Sequence, residues 1–171
     1  EQCGGRLLGR LGSFALGEGC SRRDLQELVN GRRKGVGQET KRASQQLNIE
    51  TSPGGIADIE YIAQALQIQH GRELERSGIV TTVDGLDRLV RAGFLGAEDG
   101  EALRSAFTFM SAVLKVLLRQ DNRARARLPA EDRSLTALAK EMGFAGSVSF
   151  MGALQNEMVE TRRRFEKYMA T

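Results

Sequence analysis

The sequence predicts an all-α fold, a helical bundle of about six or seven helices with a Gly-rich N-terminal arm. Three observations carry this reading. Proline occurs only twice in 171 residues, at Pro53 and Pro129, which leaves long stretches free of the strongest helix breaker. Apolar residues recur at i, i+3, i+4 and i+7 through most of the chain after residue 50, the period of one helix face. Strand-like alternation is nearly absent; the β-branched cluster at residues 78–82 is short.

The elements follow in order. The first 20 residues hold six glycines, a density no ordinary helix survives, so residues 1–20 read as an arm or linker remnant. Residues 21–171 make the helical domain. Ser21 opens a capping box with Asp24, and Leu25, Leu28 and Val29 follow at helical spacing. Gly31, Gly35 and Gly37 are expected to interrupt that helix, and residues 38–47 to form a second, weakly amphipathic one. A Pro53-Gly54-Gly55 turn leads into a helix marked by Ile56, Ile59, Ile62 or Ala63, and Leu66. Thr82 or Asp84 starts a short helix with Val83, Leu86, Leu89 and Val90, which Gly93 ends as a C′ glycine. A long helix carries Leu103, Ala106, Phe107, Met110, Leu114 and Leu117, the best-formed apolar stripe in the chain. A charged connection from Arg119 to Arg127 ends at Pro129. Leu135, Leu138, Ala139 and Met142 line a helix closed by Gly143. Ser147 or Ser149 is expected to cap a last helix with Phe150, Leu154, Met158 and Phe165 inward.

Charge and cysteine usage exclude several function classes. With 25 basic and 22 acidic residues the net charge is +3, too mild to indicate nucleic-acid binding. Arginines group at Arg22 and Arg23, Arg32 and Arg33, Arg123, Arg125 and Arg127, and Arg162 to Arg164. Acidic residues are interspersed and aromatics few, so these clusters read as solvated faces. Cys3 and Cys20 lack the CxxC spacing of a zinc site and point to a reducing cytoplasm. No apolar run approaches the ~18 residues of a membrane span. The first residue is Glu1, not Met, which suggests a piece of something longer.

The stretch around Asp58 and Glu60 raises the sharpest chemical question. Two carboxylates at i, i+2 share one face of a strand and can hold one Mg²⁺ there. On a helix they stand about 200° apart. The apolar spacing from Ile56 to Leu66 places them on a helix, in first turns where the dipole and free N–H groups favour carboxylates. Asp58 and Glu60 therefore read as separate helix-face residues, with no metal site. His70 stands alone and reads as structural. Ser13 faintly echoes a nucleotidyltransferase Gly-Ser loop, but no Asp-x-Asp follows it. No Walker-type loop, HExxH or Ser-His-Asp set is present, so no residue is assigned as catalytic.

The stretch GGIADIEYIAQALQIQHG resembles a signature of the bifunctional glutamine synthetase adenylyltransferase family, Gly-Gly-x-x-Asp/Glu-Ile-Glu-Phe-x-x-Gln. Gly54, Gly55, Asp58, Ile59, Glu60 and Gln64 match it, and Tyr61 replaces Phe. GLDRLVRAGFLGAEDGEALRSAFTFM, Leu128-Pro129, LTALAKEMGF and a closing helix with Arg163 and Phe165 follow in order. The resemblance covers about the last two-thirds of the chain and is poor over the first 45 residues. It implies a helical domain that follows a nucleotidyltransferase domain in a cytoplasmic enzyme. That enzyme would transfer AMP from ATP to a tyrosine of glutamine synthetase and remove it, with Mg²⁺, under control of the PII signalling protein and glutamine. The Asp58 form leans toward the adenylylating half. The chain itself would be non-catalytic and hold no cofactor, since the Gly-Ser loop and Asp-x-Asp site are missing. In this frame Gly54, Gly55, Asp58, Glu60 and Gln64 either fix the helix N-terminus or face the neighbour's cleft. The alternatives are a standalone Arg-rich binding module for nucleic acid or protein, and a degenerate relative acting as a scaffold.

Overall fold

The computed structural model describes residues 30–32, 47–70, 74, 81–120 and 126–170. The Gly-rich arm, the Ser21 box, residues 38–46 and residues 78–80 lie outside the described residues. Five helices are described in full: α1 Ile56–Gln69, α2 Thr82–Arg91, α3 Ala97–Gln120, α4 Asp132–Glu141 and α5 Ser147–Tyr168. Residues 30–32 are also helical. Among the described residues no strand forms, only an isolated antiparallel bridge between Asn48 and Arg127. The all-α bundle that the sequence predicts is the fold observed.

Each helix contributes its apolar stripe to one core. Ile59 and Ile62 of α1, Leu86 and Leu89 of α2, Leu103, Met110 and Val113 of α3, Leu138 and Ala139 of α4, and Phe150, Leu154 and Phe165 of α5 are fully buried. Ala139 aside, burying side chains of this size contributes roughly 1.5–3 kcal/mol each. α3 is the spine: α2, α4, α5 and α1 all pack on it, while α1 also packs on α2 and α5. Phe109, Phe144 and Phe150 form an aromatic cluster with centroids 5.5–6.4 Å apart, which fastens α3, the α4–α5 connection and α5.

The helix ends show where local sequence governs. Gly93 and Gly143 both sit at positive φ, +78° and +82°. Gly93 N–H donates to Val90 O and Phe94 N–H to Leu89 O; Gly143 and Phe144 repeat this with Lys140 and Ala139. These are two Schellman closures at the expected glycines. α2 starts at Thr82, one of the two starts read from the sequence, with Thr81 as its N-cap in a capping box to Asp84. Two details differ from expectation. Gly146 precedes α5 without a side-chain cap; Ser147 instead donates to Asp132 Oδ1 and Ser149 to its neighbour Gly146 O. Gly31 lies inside the helical residues 30–32, where a single glycine costs only about 1 kcal/mol, too little to end a helix held by tertiary contacts.

Two connections position the site. Ile49 N–H donates to Ala126 O and Leu128 N–H to Leu47 O, so the segment before α1 is stitched to the segment after α3. Leu47, expected at the end of a helix, is not helical because its carbonyl serves this pairing. At the far end, Asp99 in the first turn of α3 accepts from Arg164 Nε at 3.0 Å, Lys167 Nζ at 2.6 Å and Tyr168 OH at 2.8 Å. Burial pushes the Asp99 carboxyl up, but the bonds from Lys167 and Tyr168 outweigh it and hold it below the usual range.

Candidate functional site at the glycine turn

The turn before α1 is built by its own backbone. Asn48 Oδ1 accepts the Glu50 and Thr51 N–H groups at 2.9 and 3.1 Å, and Asn48 N–H donates to Ser52 Oγ. The chain then doubles back, so that Ile56 N–H meets Ile49 O, Ala57 N–H meets Glu50 O and Asp58 N–H meets Gly55 O, each at 3.0 Å. The free donors of a helix N-terminus are thus satisfied internally. A glycine turn opening a helix is a common phosphate cradle, but here the N–H groups that would hold a phosphate are already taken.

Both glycines are forced by contact. Gly54 has φ +77°, and a Cβ on it would lie 1.8 Å from the Met158 carbonyl oxygen of α5. A Cβ on Gly55 would lie 2.3 Å from Ile49 O. The turn therefore packs backbone against backbone, with Pro53 at its exposed tip.

Asp58 is fully buried and closes the arrangement. Its Oδ1 accepts from Arg32 Nε at 2.8 Å; its Oδ2 accepts from Gly54 N–H at 2.7 Å and from an Arg162 terminal nitrogen at 3.3 Å. Arg32 also donates to the carbonyls of Thr51 and Ser52. Arg162 donates in addition to Glu166 and lies over the Phe165 ring, 4.7 Å from its centroid. One carboxylate thereby joins three segments: the helical residues 30–32, the glycine turn and α5.

Glu60 and Gln64 have a different setting. Both lie on α1 one turn apart and are partly exposed. Burial pushes the Glu60 carboxyl above its usual range, the charge of Glu50 adds to the rise, and Arg32 pulls it partly back. Gln64 Oε1 is buried without a hydrogen-bond donor. The signature is thus divided: Gly54, Gly55 and Asp58 are consumed inside the domain, while Glu60 and Gln64 border the surface.

This arrangement does not fit a Mg²⁺ site. Asp58 has both oxygens committed to arginines and an amide, and Glu60 stands two residues on along the helix. Among the described residues no group of three or more His, Cys, Asp or Glu could hold a metal. Nor does the closing Arg cluster present free cations: Arg162 meets Asp58 and Glu166, Arg163 meets Glu160, and Arg164 meets Asp99 and Glu160. No helix among the described residues is long and apolar enough to cross a membrane.

Sequence reasoning missed Arg32 and Arg162, which complete the site. Arg162 was within reach of the periodicity: it lies four residues after buried Met158, at the edge of the inward stripe. Arg32 carried no such signal, because its partners are 19 to 26 residues away.

A family model described as GlnD PII-uridylyltransferase matches residues 23–169, starting well before the expected onset near residue 45. The chain is similar to proteins named bifunctional glutamine synthetase adenylyltransferase/adenylyl-removing enzyme. One from Corynebacterium diphtheriae is 28% identical over 149 residues, 85% of this chain and 14% of that protein. One from Mycobacterium leprae is 32% identical over 113 residues, 66% of this chain and 11% of that protein. One from Neisseria meningitidis is 27% identical over 123 residues, 72% of this chain and 14% of that protein. The chain spans only about a seventh of the length of such relatives, or less.

Proposed function

Since the chain belongs to the family described as GlnD PII-uridylyltransferase, we propose that it is a non-catalytic helical domain of a glutamine synthetase adenylyltransferase. In this reading a nucleotidyltransferase domain of the same polypeptide, in the cytoplasm, uses ATP and Mg²⁺ to move AMP onto and off a tyrosine of glutamine synthetase. The helical domain packs beside it and carries no reacting group. The PII protein is a regulatory partner of the whole enzyme.

The observation that carries this reading is the use made of Asp58. Within the matched stretch, the carboxylate that looks most like a metal ligand is spent on Arg32, Arg162 and Gly54. Its chemistry is to hold a turn rigid, the task of a domain that supports a neighbour's active site. Glu60 and Gln64 are then the signature residues left to meet that neighbour.

The test is AMP incorporation into glutamine synthetase with labelled ATP and Mg²⁺. The 171-residue chain alone transfers none, and a polypeptide that joins it to its nucleotidyltransferase domain does. Turnover by the chain alone would end the non-catalytic reading; an inert joined polypeptide would end the adenylyltransferase reading. A second reading, uridylyl transfer to PII, is favoured by the description of the matching family model. The same assay with UTP and PII in place of ATP and glutamine synthetase separates the two.

A further inference from the structure

Arg32 is 7% exposed, and its bonds all leave its own helical segment. Its Nε holds Asp58 Oδ1 at 2.8 Å, one terminal nitrogen holds Thr51 O at 3.0 Å, and the other reaches Ser52 O at 3.4 Å. The guanidinium therefore grips the glycine turn from both sides. It takes the two carbonyls that precede Pro53 and the carboxylate whose other oxygen holds Gly54 N–H. A planar fork can serve three acceptors spread this way; a compact ammonium cannot. Arg162, which shares Asp58, is a weaker grip. Its side chain is 22% exposed, its bond to Asp58 is 3.3 Å, and it has Glu166 as a second acid.

We infer that Arg32 is a positioning residue, through which the chain entering the bundle sets the glycine turn, and with it Glu60 and Gln64, against the neighbouring domain. The turn has no other side chain that binds its carbonyls and its closing carboxylate together among the described residues. Among the described residues, helical residues 30–32 hold the turn through this guanidinium, which reaches Asp58, Thr51 and Ser52. The inference rests on the proposed function for its effect on turnover, and on the geometry alone for its effect on the turn.

The test uses the whole transferase carrying Arg32→Lys or Arg32→Ala, with Arg163→Ala as an exposed comparator. Steady-state AMP transfer and hydrogen–deuterium exchange across residues 52–58 are the two readouts. Both Arg32 variants should lower kcat by about tenfold or more, with KM for ATP held within about twofold, and should speed exchange at Gly54. Arg163→Ala should change neither. If Arg32→Ala does not fold, Arg32→Lys decides, since it keeps the charge and loses only the fork. A folded Arg32→Lys enzyme with wild-type kcat overturns the inference, whatever its exchange. If the wild-type enzyme transfers no AMP, the functional reading fails separately. Exchange then decides alone: faster at Gly54 in Arg32→Lys supports the inference, and unchanged exchange overturns it.

Discussion

Gly54 rests directly on Met158: a Cβ added to the glycine would sit 1.8 Å from the Met158 carbonyl oxygen and 2.6 Å from its carbonyl carbon. Both are backbone atoms of α5, held by its helical ladder, and cannot yield as a flexible side-chain tip would. Gly93 has nearly the same backbone angle, +78°, but nothing lies within 4 Å of the position its Cβ would take. The two glycines separate conformational strain from steric exclusion. Gly93→Ala should lower stability by about 1–2 kcal/mol, the strain of a left-handed residue. Gly54→Ala adds overpacking and should cost about 3–5 kcal/mol or prevent folding. Urea midpoints of the two variants of this chain check the difference.

Asp58→Asn removes the negative charge between two guanidinium groups while keeping the side-chain shape. Arg32, buried and with no second ion pair among the described residues, then keeps only the weaker, non-bonded attraction of Glu60. The expected loss is about 3–5 kcal/mol, the usual result of deleting one partner of a buried pair. Arg162→Ala should cost less, because Asp58 keeps Arg32 and Gly54. An Arg162→Ala variant as unstable as Asp58→Asn would contradict this ranking.

Asp99 gives a pH dependence with a definite sign. Its folded carboxyl titrates below the usual value of 3.8, because the bonds from Lys167 and Tyr168 outweigh the rise due to burial. The unfolded chain therefore takes up its proton first as pH falls. The stabilisation is complete above about pH 4 and disappears as pH drops through the lower folded value. Asp99→Asn should destabilise the chain at neutral pH and flatten its acid unfolding below about pH 4. Chemical denaturation followed from neutral to strongly acidic pH reads both effects.

Glu60 has the opposite sign. Burial, then the charge of Glu50, raises its carboxyl above 4.5, so the folded chain holds this proton more tightly than the unfolded chain. Stability contributed by the protonated form is lost as pH rises from the unfolded value through the folded one. Glu60→Gln removes that loss and should raise the melting temperature of this chain at neutral pH. In the whole transferase the same change should reduce AMP transfer if Glu60 meets the neighbouring domain. Stability and activity then move in opposite directions, as they do where a residue serves function at the expense of the fold. A variant with unchanged stability and full activity would count against both readings.

Much of the fold was legible because it is local. The stripe of Leu103, Ala106, Met110 and Leu117 and the closing glycines Gly93 and Gly143 depend on neighbours within five residues, and they fall where periodicity puts them. Ser147 and Ser149 misled for the same reason in reverse. A serine before an apolar run resembles a cap, but Gly146 takes the extended position and Ser147 turns to Asp132 instead. The site was legible only in outline. The sequence places Asp58 on a helix near its N-terminus, yet its burial depends on Arg32, 26 residues before it, and Arg162, 104 residues after it. No window-based pattern contains such partners. The expectation that Asp58 and Glu60 are separate helix-face residues understated the contrast, for Asp58 lies wholly inside.

That distance of 104 residues has a consequence for how the chain is made. Synthesis runs from Gly54 toward Met158 and Arg162, so the glycine turn leaves the ribosome long before the helix against which it must close. Until α5 emerges, Gly54 has no Met158 backbone beneath it and Asp58 has only part of its set of donors. The stitch from Ile49 to Ala126 likewise waits for the end of α3. The most specific turn of the domain is therefore among its last features to be completed, and a nascent chain halted before α5 carries it without its Met158 and Arg162 contacts.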